Sequence, residues 1–195
     1  DLLQSQEVYL EIWIEKDALS SIFTRVARPY TVPVVVCRGF SSVSFLNDYK
    51  ERLKYCQGKY PILLYFGDFD PSGVEMLRAM EITLQDELKV RGIAFERVAL
   101  LREHIAEYHL PHSPEALKKT DSRAHKHIAE YGELAVELDA LRPDILETLI
   151  REAIEEEIDL DLFGSEQDTQ EEEHLKINRL KLHIGEQAQI FLSNT

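Results

Sequence analysis

Within the first hundred residues, short apolar runs alternate three times with segments of helical period, and this alternation restricts the chain to a small set of folds. Residues 8–15 (VYLEIWIE) read as a strand of β-branched and aromatic residues. Residues 17–27 follow with Leu19, Ile22, Phe23 and Val26 at helical spacing. Residues 34–37 (VVVC) are a continuous apolar run of the kind buried on both faces of a sheet. Gly39 closes that run, and Leu46, Tyr49 and Leu53 stripe a second helix. A third buried strand spans residues 62–66, and its helix spans about residues 72–91 with Leu77, Met80, Leu84 and Leu88 inward. Residues 95–100 complete the series as a fourth strand. The pattern predicts an α/β fold with right-handed crossovers and a mostly parallel four-stranded sheet flanked by helices.

Beyond residue 101 the pattern loosens. Residues 108–121 hold two prolines and read as a loop or short arm, and residues 134–138 (LAVEL) as one further strand. A helix is expected over residues 143–158, with Pro143 in its first turn and Leu146, Leu149, Ile150, Ala153 and Ile154 on one face. Ile177, Leu180, Ile184, Ala188 and Phe191 suggest a last amphipathic helix. The expected division is a catalytic domain over residues 1–145 and a helical extension with an acidic linker over residues 146–195.

Charge narrows the partners. The formal net charge is -14, but residues 152–173 hold eleven carboxylates and no Lys or Arg, so setting those eleven aside leaves -3. No basic field for nucleic acid exists, and any contact with a polyanion must use a local patch or a bound cation. The acidic block reads as a solvated helix end and linker. No apolar run approaches the roughly 18 residues that span a bilayer. Cys37 and Cys56 make no disulfide framework, and the amino terminus does not resemble a signal peptide, so a cytoplasmic location is expected.

In an open parallel sheet, ligands bind beyond the carboxyl ends of the strands. Here those ends carry Glu15-Lys16, Arg38-Gly39 and Gly67-Asp68-Phe69-Asp70-Pro71-Ser72-Gly73. Asp68 and Asp70 stand two apart and share a side in extended chain. With Glu15 they form an oxygen-rich set suited to Mg²⁺, which takes one or two protein carboxylates plus water and phosphate. A helix start competes for the same residues: Asp70 or Ser72 can be the N-cap, Pro71 suits a first turn, and Ser72 with Glu75 has capping-box spacing. A cap leaves Asp68 and the Glu15-Lys16 pair unexplained.

These motifs resemble the Toprim domain of topoisomerases, bacterial-type primases and related nucleases: a glutamate after the first strand, a glycine after the second, an Asp-x-Asp after the third. Trp13-Ile14-Glu15-Lys16-Asp17-Ala18-Leu19, Cys37-Arg38-Gly39-Phe40-Ser41-Ser42 and the residue 67–73 segment look most like the A subunit of type IIB (topoisomerase VI-like) topoisomerases and its meiotic double-strand-break relatives. Stand-alone bacterial Toprim proteins are similar too, with counterparts of Lys119-Thr120-Asp121-Ser122-Arg123 and Val136-Glu137-Leu138-Asp139-Ala140-Leu141. The resemblance covers about residues 8–100, more loosely to about 145. It implies a Rossmann-like Toprim fold and Mg²⁺-dependent (or Mn²⁺-dependent) cleavage or transesterification of DNA phosphodiesters. Glu15 would be general acid/base or metal ligand, Asp68 and Asp70 would hold the metal, and Gly39 would allow close backbone approach. Lys16, Arg38, Asp121 and Arg123 would face substrate. Glu137 and Asp139 either extend the acidic site as a second pair or serve as a cap and a salt bridge.

One departure bears on mechanism. Type IIB A subunits carry their nucleophilic tyrosine on a preceding winged-helix domain, and none of the eight tyrosines here lies in such a domain. The expectation is a fragment of a longer protein, cleavage by water, or service to a partner: a tyrosine-bearing winged-helix domain, an ATPase subunit, or a second copy of the chain. A metal- and DNA-binding module without turnover, docking a partner through the last helix, is the alternative from another class. A nucleotide-sugar transferase also uses Asp-x-Asp but leaves Glu15 and Gly39 unexplained. Haloacid-dehalogenase-like phosphatases place their Asp-x-Asp after the first strand. Zinc has His112, His125 and His127 as candidates but no Cys-x-x-Cys. There is no dinucleotide, P-loop or nucleophile-elbow motif.

Overall fold

The structure is a computed structural model that describes residues 2–37, 42–56, 58–112, 117 and 122–193, the side chains of residues 122, 123, 190, 191 and 193 excepted. Four strands, β1 (Val8–Ile14), β2 (Val34–Val36), β3 (Tyr60–Phe66) and β4 (Ala94–Ala99), pair in the order β2-β1-β3-β4. Every neighbouring pair is parallel. The sheet is an α/β sheet flanked by helices and compatible with a Rossmann-like fold. From β1 the chain moves outward to β2 on one side and later to β3 and β4 on the other. The reversal of direction therefore falls between β1 and β3, the place where such sheets open a crevice at their carboxyl ends.

The period-two pattern of the central strands sorts the core into two faces. On one face Trp13, Leu63 and Tyr65 pack with Leu46 and Tyr49 of α2 (Val43–Leu53) and with Met76 and Met80 of α3 (Pro71–Ile82). Trp13 meets Tyr49 edge-to-face with centroids 5.1 Å apart. On the other face Phe66 meets Phe23 of α1 (Ser20–Ala27) at 4.8 Å. There α1 also packs against α6 (Pro143–Glu157), which follows α4 (Arg102–Glu107) and α5 (Ser122–Tyr131) in the chain.

Glu11 lies in the middle of β1 and is wholly buried. One carboxylate oxygen accepts from Tyr9 Oη at 2.5 Å and Arg52 Nε at 2.7 Å. The other accepts from Trp13 Nε1 and Arg52 Nη2, both at 2.9 Å. Four donors on one buried carboxylate fix the roll of β1 about its axis and join it to the end of α2.

The chain departs from the expected pattern at several elements. The helix after β3 ends at Ile82 and widens into a π turn over Thr83–Glu87, after which Lys89 takes a left-handed φ of 57°. Residues 134–138 do not form a strand of the sheet; Val136 makes a single antiparallel bridge with Phe69. α4 and α5 were not expected, although Ala124, His127, Ile128 and Tyr131 have helical spacing. The acidic residues 152–173 line the end of α6 and the first half of α7 (Leu160–Ser193).

The chain divides into two compact units, residues 7–158 and residues 1–6 with 159–195. In the smaller unit the Gln6 side chain donates to Asp159 O at 2.8 Å and accepts from Asp159 N at 2.7 Å. Asp159 Oδ1 in turn accepts from the Asp161 and Leu162 amides and starts α7. Among the described residues no helix is long and apolar enough to cross a membrane.

Glu11→Ala leaves the buried Trp13 Nε1, Tyr9 Oη and the partly exposed Arg52 without their acceptor, and a cost of about 3 kcal/mol is expected because a buried donor loses its partner and a cavity opens in mid-strand. Urea unfolding measures it; a loss below about 1 kcal/mol would mean that the network adds little beyond an ordinary hydrogen bond.

Candidate functional site: the carboxyl ends of β1 and β3

The register of the two central strands sets the site. Ile14 pairs with Phe66, and the next amide, Glu15 N, donates to Phe66 O at 3.0 Å. Glu15 therefore emerges beside Gly67 and Asp68. Its Oε2 accepts from the Asp68 amide at 3.2 Å and from Tyr65 Oη at 3.3 Å. Past β3, Gly67 is held by β4 through Ala99 O and the Leu100 amide, both at 2.8 Å. Phe69 is held by Val136 on the other side. Asp70 is the N-cap of α3: its backbone is extended, its Oδ1 accepts from Gly73 N at 2.6 Å, and Pro71 occupies the first turn.

Two glycines let these parts approach. A Cβ on Gly73 would stand 2.2 Å from Asp68 O and 3.1 Å from Glu15 Oε2. A Cβ on Gly67 would stand 2.4 Å from Tyr65 Oη. Both would push backbone or a buried ring out of place.

Segment 134–140 crosses the site as a strap. Leu138 N donates to Asp68 Oδ1 at 2.7 Å. On either side of it Glu137 and Asp139 receive Lys16 Nζ, at 2.7 and 2.6 Å. Two histidines hold the strap from behind: Ala135 N donates to His112 Nδ1 at 3.2 Å, and His127 Nε2 lies 2.7 Å from Leu134 O. The His127 ring also meets Phe69 edge-to-face, centroids 5.5 Å apart.

Arg97 of β4 underlies the loop. Its Nε donates to Leu100 O at 3.0 Å, its Nη1 to Gly73 O at 2.9 Å, and its Nη2 to Gly67 O at 3.1 Å and to Asp68 O. The guanidinium also lies over the Tyr65 ring, 5.3 Å from its centroid.

The electrostatics follow from this crowding. Burial, and next the charge of Asp68, raises the Glu15 carboxyl above its ordinary value; the Asp68 amide works against the rise. Burial raises Asp68 as well, opposed by the Leu138 amide and by Lys16. Burial disfavours the Lys16 ammonium, but hydrogen bonds to Asp139 and Glu137 outweigh it and hold the proton more tightly than usual. Burial lowers Arg97, while Tyr65, Glu15, Asp70 and Asp68 oppose that effect.

The structure thus brings together Glu15, Asp68 and Asp70, and adds Lys16 through its pairing with Glu137 and Asp139. Arg38, Gly39 and Asp121 lie outside the described residues, and of Arg123 only the backbone, in α5, is described. Tyr65 and Arg97 escaped the sequence reading, which quoted Gly73 only as part of the segment after β3. As they stand, no three His, Cys, Asp or Glu side chains among the described residues converge closely enough to hold one metal ion. Mg²⁺ needs only one or two protein oxygens, and the donor set is of that type: Asp68 and Asp70 each commit Oδ1 to a backbone amide and have a second oxygen. No protein-family model matches the chain, and no curated protein matches it either.

Gly73→Ala is expected to destabilise the fold by about 1–3 kcal/mol, as overpacking does. It should also shift the amide resonances of Asp68 and Leu138, read by ¹⁵N–¹H NMR. An alanine variant with wild-type stability and unmoved resonances would contradict the close approach.

Proposed function

We propose that this chain is a Toprim-type domain, resembling the A subunit of type IIB topoisomerases, that cleaves or transesterifies DNA phosphodiesters with Mg²⁺. The observation that carries the reading is the junction of Glu15 with Asp68 at the β1–β3 switch point, with Asp70 two residues on. The glycine and Asp-x-Asp motifs of the sequence support it. Asp68 and Asp70 would hold the ion, with Mn²⁺ as a substitute. A bound divalent cation neutralises phosphate charge and stabilises a developing oxyanion, which a chain of net charge -14 needs before it can approach DNA.

The chain's own residues would do the rest. Glu15, its proton affinity raised by burial and by Asp68, exchanges a proton with the attacking or leaving oxygen. Tyr65 and the Asp68 amide orient that carboxyl. Lys16 reaches a phosphate once it leaves Glu137 and Asp139. The nucleophile is water, or a tyrosine supplied by a winged-helix domain elsewhere in a larger protein or complex.

A second reading is a metal- and DNA-binding Toprim module without turnover. None of the eight tyrosines lies in a winged-helix domain of the kind that carries the family's nucleophile, which favours it.

Conversion of supercoiled plasmid to nicked or relaxed circles, with Mg²⁺ or Mn²⁺, separates the two. Asp68→Asn/Asp70→Asn and Glu15→Gln should each lower the rate by about 100-fold or more, the scale of a lost general acid–base or metal group. Metal-dependent DNA binding without cleavage would establish the second reading, and neither binding nor cleavage would overturn both.

A further inference from the structure

We propose that Arg97 is the resident counter-cation of the acidic site: a positioning residue whose positive charge, and not its hydrogen-bonding fork alone, keeps Glu15, Asp68 and Asp70 together in the folded protein. The proposal rests on reading those carboxylates as one site. All four acceptors of Arg97 are neutral backbone carbonyls, those of Gly67, Asp68, Gly73 and Leu100. A guanidinium partly withdrawn from water without a partnering carboxylate carries a desolvation cost, and it cannot escape by losing its proton. Compensation must come from negative charge close by. Arg97 grips the backbone of the loop that carries Asp68 and Asp70, beside Glu15, and these carboxylates favour its charge although burial outweighs them; burial together with their mutual repulsion is what raises Glu15 and Asp68.

The placement is reinforced through Tyr65. Tyr65 and Arg97 are partners in the β3–β4 register, the guanidinium covers the ring, and the ring's hydroxyl reaches Glu15 Oε2. Lys16 neutralises the solvent side of the same cluster, between Glu137 and Asp139. Arg97 does so from the sheet side, where it is only partly exposed and less screened than Lys16.

The test is a set of variants compared by thermal unfolding without added metal: Arg97→Lys, Arg97→Gln, Asp68→Asn and Arg97→Gln/Asp68→Asn. Lysine keeps the charge and loses the fork; glutamine keeps an amide donor and loses the charge. Asparagine at 68 retains an acceptor for the Leu138 amide and removes one negative charge. The expected result is a midpoint lowered by about 6 °C or more in Arg97→Gln, a smaller loss in Arg97→Lys, and recovery of at least half of the Gln loss on adding Asp68→Asn. Should Arg97→Gln not fold, the double variant must fold. Equal losses for Lys and Gln, no recovery on adding Asp68→Asn, or an unfolded double variant would each overturn the proposal and leave Arg97 as a hydrogen-bonding strut. Because the comparison uses neither metal nor DNA, its outcome is separate from that of the plasmid assay. A charge coupling without nicking would retain Arg97's role and sink the enzymatic reading.

Discussion

Glu15 and Asp68 meet because β1 and β3 are adjacent, parallel and paired residue for residue from Val8–Tyr60 to Ile14–Phe66. A slip of one residue would turn every side chain of β1 to the other face and carry Glu15 away from the loop. The register is protected by chemistry elsewhere on the strand. Trp13 can occupy only the α2–α3 face, and Glu11 must find Arg52, Trp13 Nε1 and Tyr9 Oη on that same face. The burial of one carboxylate in mid-strand thus fixes where the next one, four residues on, comes out.

Bringing carboxylates together at the end of a sheet is unfavourable, and the surrounding structure consists largely of devices that offset it. Backbone amides of Asp68, Leu138 and Gly73 each donate to one of the three acids. Lys16 and Arg97 add positive charge from opposite sides. The glycines at 67 and 73 are needed because so many groups share a small volume. The strap over residues 134–140 joins this arrangement to sequence seventy residues away, and two of the three histidines that invite a zinc reading, His112 and His127, serve to hold it. Charge density of this kind at a topological switch point is the setting in which the proposed divalent cation and phosphate ester would be favourable together.

The sheet was legible in the sequence because buried parallel strands are short, continuous and apolar, and VVVC and ILLYF have no other natural use. The carboxylates at the strand ends were legible for the same reason: Glu15 and Asp68 interrupt apolar runs where nothing else requires a charge. Asp70 was ambiguous and is in fact the N-cap of α3, whatever else it does. Arg97 was not legible. In FERVAL it looks like the solvent-facing member of an edge strand, and only the fold places its guanidinium under a loop thirty residues earlier in the chain. The strap was misread because LAVEL has strand composition, yet among its residues Val136 alone makes a β-bridge, with Phe69. The Lys16 pairing with Glu137 and Asp139 spans more than a hundred residues, a separation that no local pattern encodes.

Anomalous diffraction from crystals of the chain grown with Mn²⁺ tests the central claim most directly. The account predicts a peak bonded to the Asp68 and Asp70 carboxylates that vanishes in Asp68→Asn/Asp70→Asn. The absence of any peak there in the wild type at millimolar Mn²⁺, with Asp68 and Asp70 still bonded to the Leu138 and Gly73 amides, would contradict it and leave the carboxylates as parts of the fold's own hydrogen-bonding frame.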